Sequence, residues 1–160
     1  MKFALKRSLH PLLLLVGLSL LISACTPGGS TGRGFAYIWY VATSGDDANT
    51  CSDPAEPCAT LNGVFSKARA ETTRLEGEYP DLTVVDHTVN VAAGTYMVTG
   101  IRPGYPFATA NINVAIVGDG QSSTIFDGAD TYGGLSINGD ANVRIRNLTL
   151  QNMNGNAPDS

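Results

Sequence analysis

The side chains able to do chemistry are few and scattered. Asp46, Asp47, Asn49 and Asp53 crowd oxygens into one stretch, as a hard cation such as calcium requires. Their spacing does not match a twelve-residue calcium loop and no bidentate Glu closes it, so a solvated turn with Asx hydrogen bonds is the reading. Asp119, Asp127, Asp130 and Asp140 follow, with Asp159 near the end. Asp119, Asp127 and Asp140 each lie beside Gly, which places them at chain corners rather than stacked on a catalytic face. His87 opens an apolar strand-like run with no nucleophile or carboxylate near it in sequence, and a catalytic role is not expected of it. Arg144 and Arg146 flank Ile145, so in a strand both point outward; they are solvated charges with the capacity to contact an acidic glycan. No residue is assigned a catalytic or metal-binding role.

These residues sit in a chain of 160 with 18 Gly, 8 Pro and 3 Cys. Its 43% hydrophobic content is inflated by the Leu-rich first two dozen residues. Removing Lys2, Lys6 and Arg7 leaves 10 − 3 = 7 basic against 14 acidic side chains. A body this acidic excludes nucleic acid as the expected partner, because phosphate binding needs a basic face. The length suits one core, not two full domains.

The start of the chain reads as an address. Lys2, Lys6, Arg7 and His10 precede an apolar run over 11–22, the charged and hydrophobic regions of an export signal covering 1–24. Ile22-Ser23-Ala24-Cys25 then resembles the lipobox of bacterial lipoproteins. That resemblance implies a diacylglyceryl group on the Cys25 thiol, cleavage just before it, and anchoring to the bacterial envelope at the outer membrane or cell surface. The alternative is an ordinary signal cut after Ala24, with Cys25 incidental. Small and breaker residues over 25–36, chiefly TPGGSTGRG, make a flexible tether whose nine residues span about 16 Å r.m.s.. With Cys25 lipidated, Cys51 and Cys58 remain. In an oxidising compartment a pair closing so short a loop is most simply a disulfide, and a structural zinc site lacks ligands.

Periodicity supplies the elements. YIWYVAT over 37–43 alternates as a strand, and Leu61, Val64, Phe65 and Ala68 give a short one-sided helix over 60–70. A polar connection over 71–81 reads as a surface insertion. A strand over 87–91 and a turn over 92–96 follow, then an irregular loop over 97–110. From 111 the chain becomes short strands closed by Gly or Asn, at 111–117, 124–127, 135–138, 143–146 and 148–151. Gly and Asn at strand ends suit tight corners requiring positive φ, which is how a coiled solenoid turns between sheets.

The runs Tyr40-Val41-Ala42-Thr43-Ser44-Gly45-Asp46-Asp47, Cys51…Pro57-Cys58-Ala59-Thr60-Leu61 and Val91-Ala92-Ala93-Gly94-Thr95-Tyr96 together resemble the opening of bacterial pectin-lyase-like proteins. Ile116-Val117-Gly118-Asp119-Gly120, Thr124-Ile125-Phe126-Asp127-Gly128 and the stretch 143–152 resemble their repeating coils. The resemblance spans about 38–153. It implies an all-β right-handed parallel β-helix with a capping strand and helix over 37–86, and first coils over 87–160 that are incomplete at the C-terminus. The implied function is a glycan- or cell-surface-binding or structural module needing no cofactor. The alternative is the N-terminal part of a polysaccharide lyase or glycoside hydrolase, for which calcium would be the cofactor.

Overall fold

The computed structural model describes residues 32–98, 111–131 and 141–154. The export signal over 1–24, Cys25, the strand expected at 135–138, Asp140 and Asp159 lie outside them, as does nearly all of the loop expected at 97–110.

The first strand, β1 (Arg33–Val41), leads to a helix, α1 (Leu61–Glu78), and then to β2 (Leu82–Val91). Among the described residues six strands follow α1: after β2 come β3 (Gly94–Met97), β4 (Asn111–Gly118), β5 (Thr124–Asp127), β6 (Asn142–Arg146) and β7 (Thr149–Gln151). Every strand pairing between them is parallel. One sheet runs β1-β2-β4-β6 and the other β3-β5-β7, so from β2 onward the chain visits the two sheets alternately. Each visit lays a strand beside the one from the previous visit.

Alternation decides which side chains face the core. Trp39, Val89, Ile116 and Ile145 stand opposite one another across four strands and make one apolar column. Tyr96, Phe126 and Leu150 make the matching column in the second sheet, with the first two rings stacked 5.2 Å apart. At the outermost strands the columns emerge, leaving Ile145 37% and Leu150 48% exposed.

Corners between the sheets are polar and specific. Asn147 and Asn152 adopt φ of 56° and 51°, the left-handed conformation that Asn tolerates and that a strand-ending Asn foreshadows. Gly118 needs its missing side chain because a Cβ there would meet the Asn147 carbonyl oxygen at 2.2 Å. The buried Thr124 hydroxyl accepts from the Asp119 amide at 3.0 Å and donates to the Ala92 carbonyl at 3.3 Å, tying two successive corners together.

Four expectations change. The helix does not stop near residue 70: Thr72 and Leu75 extend the buried stripe of Leu61, Val64, Phe65 and Ala68, so the charged stretch after 70 is mostly helix and not an insertion. Its Glu and Arg residues occupy the solvent side and mask the periodicity. β1 begins at Arg33, which takes 33–36 from the tether. β2 begins at Leu82, so the boundary drawn at 87 falls inside a strand, and Gly94–Met97 is a strand rather than a turn.

The helix start is well satisfied. The Thr60 side chain accepts from the Gly63 amide at 3.0 Å, while the Asp47 carboxylate accepts from the Thr60 amide at 2.9 Å and hydroxyl at 2.6 Å. A Thr60→Ala variant is expected to lose about 1 kcal/mol in chemical denaturation, and Thr60→Ser much less, because serine keeps both hydroxyl bonds.

Candidate functional site

The outward side chains of the four-stranded sheet form three rows across it, set by the register. The first row is Ala36, Asp86, Asn113 and Asn142. Here the Asn113 amide nitrogen donates to Asp86 Oδ1 at 2.7 Å and the Asn142 amide nitrogen to Asn113 Oδ1 at 3.1 Å, a polar ladder across three strands. The second row is Ile38, Thr88, Ala115 and Arg144; the third is Tyr40, Asn90, Val117 and Arg146. Four strands put the ends of a row about 14 Å apart, and two residues of rise separate the arginines by about 7 Å along β6.

Small residues at Ala36 and Ala115 leave a shallow depression of about 770 Å³ lined by Asp86, Thr88, Asn113, Asn142, Arg144 and Arg146. A neighbouring hollow of about 410 Å³ is walled by Tyr40, Asn90 and Asp119, and by Pro54 and Pro57 of the Cys51–Cys58 loop. Together they offer an aromatic ring, amides, hydroxyls, two cations and the carboxylates of Asp86 and Asp119.

The arginines differ from other cations. Arg33 lies 3.6 Å from Asp81, Arg74 pairs with Glu71 and Glu78, and the Lys67 ammonium donates to the Asp47 carbonyl at 2.7 Å. Arg144 and Arg146 enter no ion pair among the described residues, and both are exposed. They point outward as the alternation predicts.

No known family model, curated protein or solved structure matches the chain.

The other sequence-flagged groups have structural work. Asp46 and Asp53 each accept from the amide two residues on, at 2.8 Å, which are the expected Asx bonds. Asp47 holds the helix cap and the Asn49 amide nitrogen donates to the Pro57 carbonyl, so each of the four has a partner within the protein. Asp127 accepts from the Gln151 and Asn152 side chains and the Ala129 amide; these bonds, Gln151 first, hold its carboxyl below the usual range. It fastens a corner, as its place before Gly128 predicts.

Cys51 and Cys58 are joined in a disulfide with Cα atoms 5.1 Å apart, and both are fully buried. The loop they close lies on the outer edge of β1: the Tyr40 amide donates to the Cys51 carbonyl at 2.8 Å, and the Cys58 and Ala42 amides continue the pairing.

His87 is 1% exposed and sits in the middle of β2, not at its start. The Trp39 indole N–H donates to its Nδ1 at 3.0 Å, and its Nε2 meets the Thr72 hydroxyl at 2.9 Å. Burial pushes its pKa down to about 4, against smaller opposing effects of Asp86 and Glu71. The Asp86–Asn113–Asn142 ladder and the roles of Tyr40 and Asn90 escaped the sequence reading. Each residue's outward direction is readable from alternation, but which residues become neighbours depends on register between strands 27–29 positions apart.

Proposed function

We propose that this chain is the cap and first coils of a right-handed parallel β-helix, exported and anchored to the envelope through lipid on Cys25, and that the outer face of its four-stranded sheet binds an acidic polysaccharide. Two parallel sheets visited alternately support the solenoid reading, since parallel crossovers are overwhelmingly right-handed. The lipobox-like residues before Cys25 support the anchor.

The observation that carries the binding reading is that Arg144 and Arg146, beside the polar ladder, enter no ion pair among the described residues, on an otherwise acidic protein. Guanidinium groups match carboxylates in planar, two-point geometry, and the ladder amides and Thr88 suit sugar hydroxyls. Tyr40 supplies a ring face for a sugar's apolar side.

Calorimetric titration with polygalacturonate oligomers tests this directly. Binding should weaken with salt, and the Arg144→Ala/Arg146→Ala double variant should bind at least about 10-fold more weakly, as expected for lost charge-assisted hydrogen bonds. Equal binding by the variant and the parent would retire the proposal. A calcium-dependent rise in ultraviolet absorbance in the same mixture would instead identify a lyase.

A further inference from the structure

The buried polar chain between helix and sheet uses every donor once. Trp39 Nε1–H donates to His87 Nδ1, which fixes the neutral ring with its proton on Nε2. Nε2–H then donates to the Thr72 hydroxyl, and that hydroxyl donates to the Ala68 carbonyl at 3.0 Å. Trp39 belongs to β1, His87 to β2, and Thr72 and Ala68 to α1, so one imidazole links three elements.

We infer that α1 is an acid-released latch: protonation of His87 lifts the helix from the face of β1 and β2 and opens that end of the core, while the remaining strands stay paired. A second proton must go on Nδ1, where it confronts the Trp39 N–H, donor against donor at 3.0 Å. The resulting charge needs water, and α1 is the layer packed over the ring.

The surrounding charges of Asp86 and Glu71 favour the imidazolium but relieve it less than burial penalises it. From α1, Glu71 is occupied by the Tyr37 hydroxyl at 2.8 Å and by Arg74. From β1, Tyr37 stacks on the imidazole at 5.6 Å as a neutral phenol. On β2, Asp86 faces the opposite side of the sheet and holds Asn113. From β4, the residue opposite His87 is the apolar Val114.

The sign follows from linkage. The imidazole pKa is about 4 with the helix docked and about 6.5 when it is exposed, so the undocked form binds more protons between those values. Docking is complete above pH 6.5 and is lost as pH falls toward 4, by about 100-fold in the equilibrium.

Hydrogen exchange on the full chain, corrected for intrinsic rates, tests the latch. Protection of α1 amides should fall about 100-fold relative to β4 between pH 7 and pH 4. Emission of Trp39, the only tryptophan, should shift to the red in parallel. His87→Gln, which gains no proton, should keep α1 protected throughout, and Glu71→Gln should leave the transition in place. The inference is overturned if α1 and β4 lose protection together, or if Glu71→Gln and not His87→Gln abolishes the transition. If His87→Gln does not fold, an NMR titration of the parent decides. An imidazole protonating near 6.5 with α1 still protected overturns the latch; one protonating near 4 as α1 opens supports it.

Discussion

On the proposed lipid anchor, Cys25→Ser is expected to move the protein from the membrane fraction to the soluble fraction. Lipid transfer needs a thiolate nucleophile and forms a thioether, and the serine hydroxyl is a far poorer nucleophile at neutral pH. The effect is large because anchoring compounds steeply with chain count. One acyl chain gives only marginal membrane binding, at about 10⁴ M⁻¹, while each buried CH₂ adds about 0.8 kcal/mol, so two or three chains hold and none does not. Detergent phase partition and intact mass read the outcome together. A parent protein whose mass is that of residues 25–160 without lipid would end the anchoring proposal, whatever the variant does.

The second large effect concerns the disulfide. Replacing both Cys51 and Cys58 with alanine should lower unfolding free energy by about 2.5 kcal/mol, the chain-entropy expectation for so short a loop. Against a typical total of about 5–15 kcal/mol this is a substantial share. A second consequence follows from where the loop lies. It satisfies the outward amide and carbonyl of Tyr40 in β1 and the amide of Ala42 just beyond it, and loosening it bares that stretch of parallel edge to other chains. Reduced or doubly substituted protein should therefore denature at lower guanidinium concentration and aggregate sooner at equal concentration. Identical midpoints with and without reductant would mean that the backbone bonds alone hold the loop.

How much was legible in the sequence varies with the kind of interaction. The paired cysteines, the Asx turns at Asp46 and Asp53, and the left-handed corners at Asn147 and Asn152 follow from local chemistry, and each stands where its residue type predicts. The ends of the strands are readable from Gly and Asn punctuation, whereas their parallel pairing is what the resemblance to pectin-lyase-like proteins implies. Lengths were less so: Thr72 and Leu75 lie among charged residues that hide their helical spacing. The candidate face was legible only in part. Arg144 and Arg146 announce their direction through Ile145, whereas the Asp86–Asn113–Asn142 ladder requires knowing that these three residues stand in register. His87 is legible as a residue of an apolar strand, but its link to Trp39 and Thr72 spans 48 and 15 residues and leaves no local trace.

The columns running through the sheets have a mechanical corollary. Within each sheet a strand pairs only with the strands beside it, so on the proposed solenoid reading the body behaves as a short stack of plates rather than a single block. Strain applied at β6 and β7 is borne by β4 and β5 before anything deeper feels it. The stack should come apart plate by plate from that side, with the disulfide-braced end surviving longest. A molecule held at one end and loaded at the other would then yield in increments, dissipating work at each step.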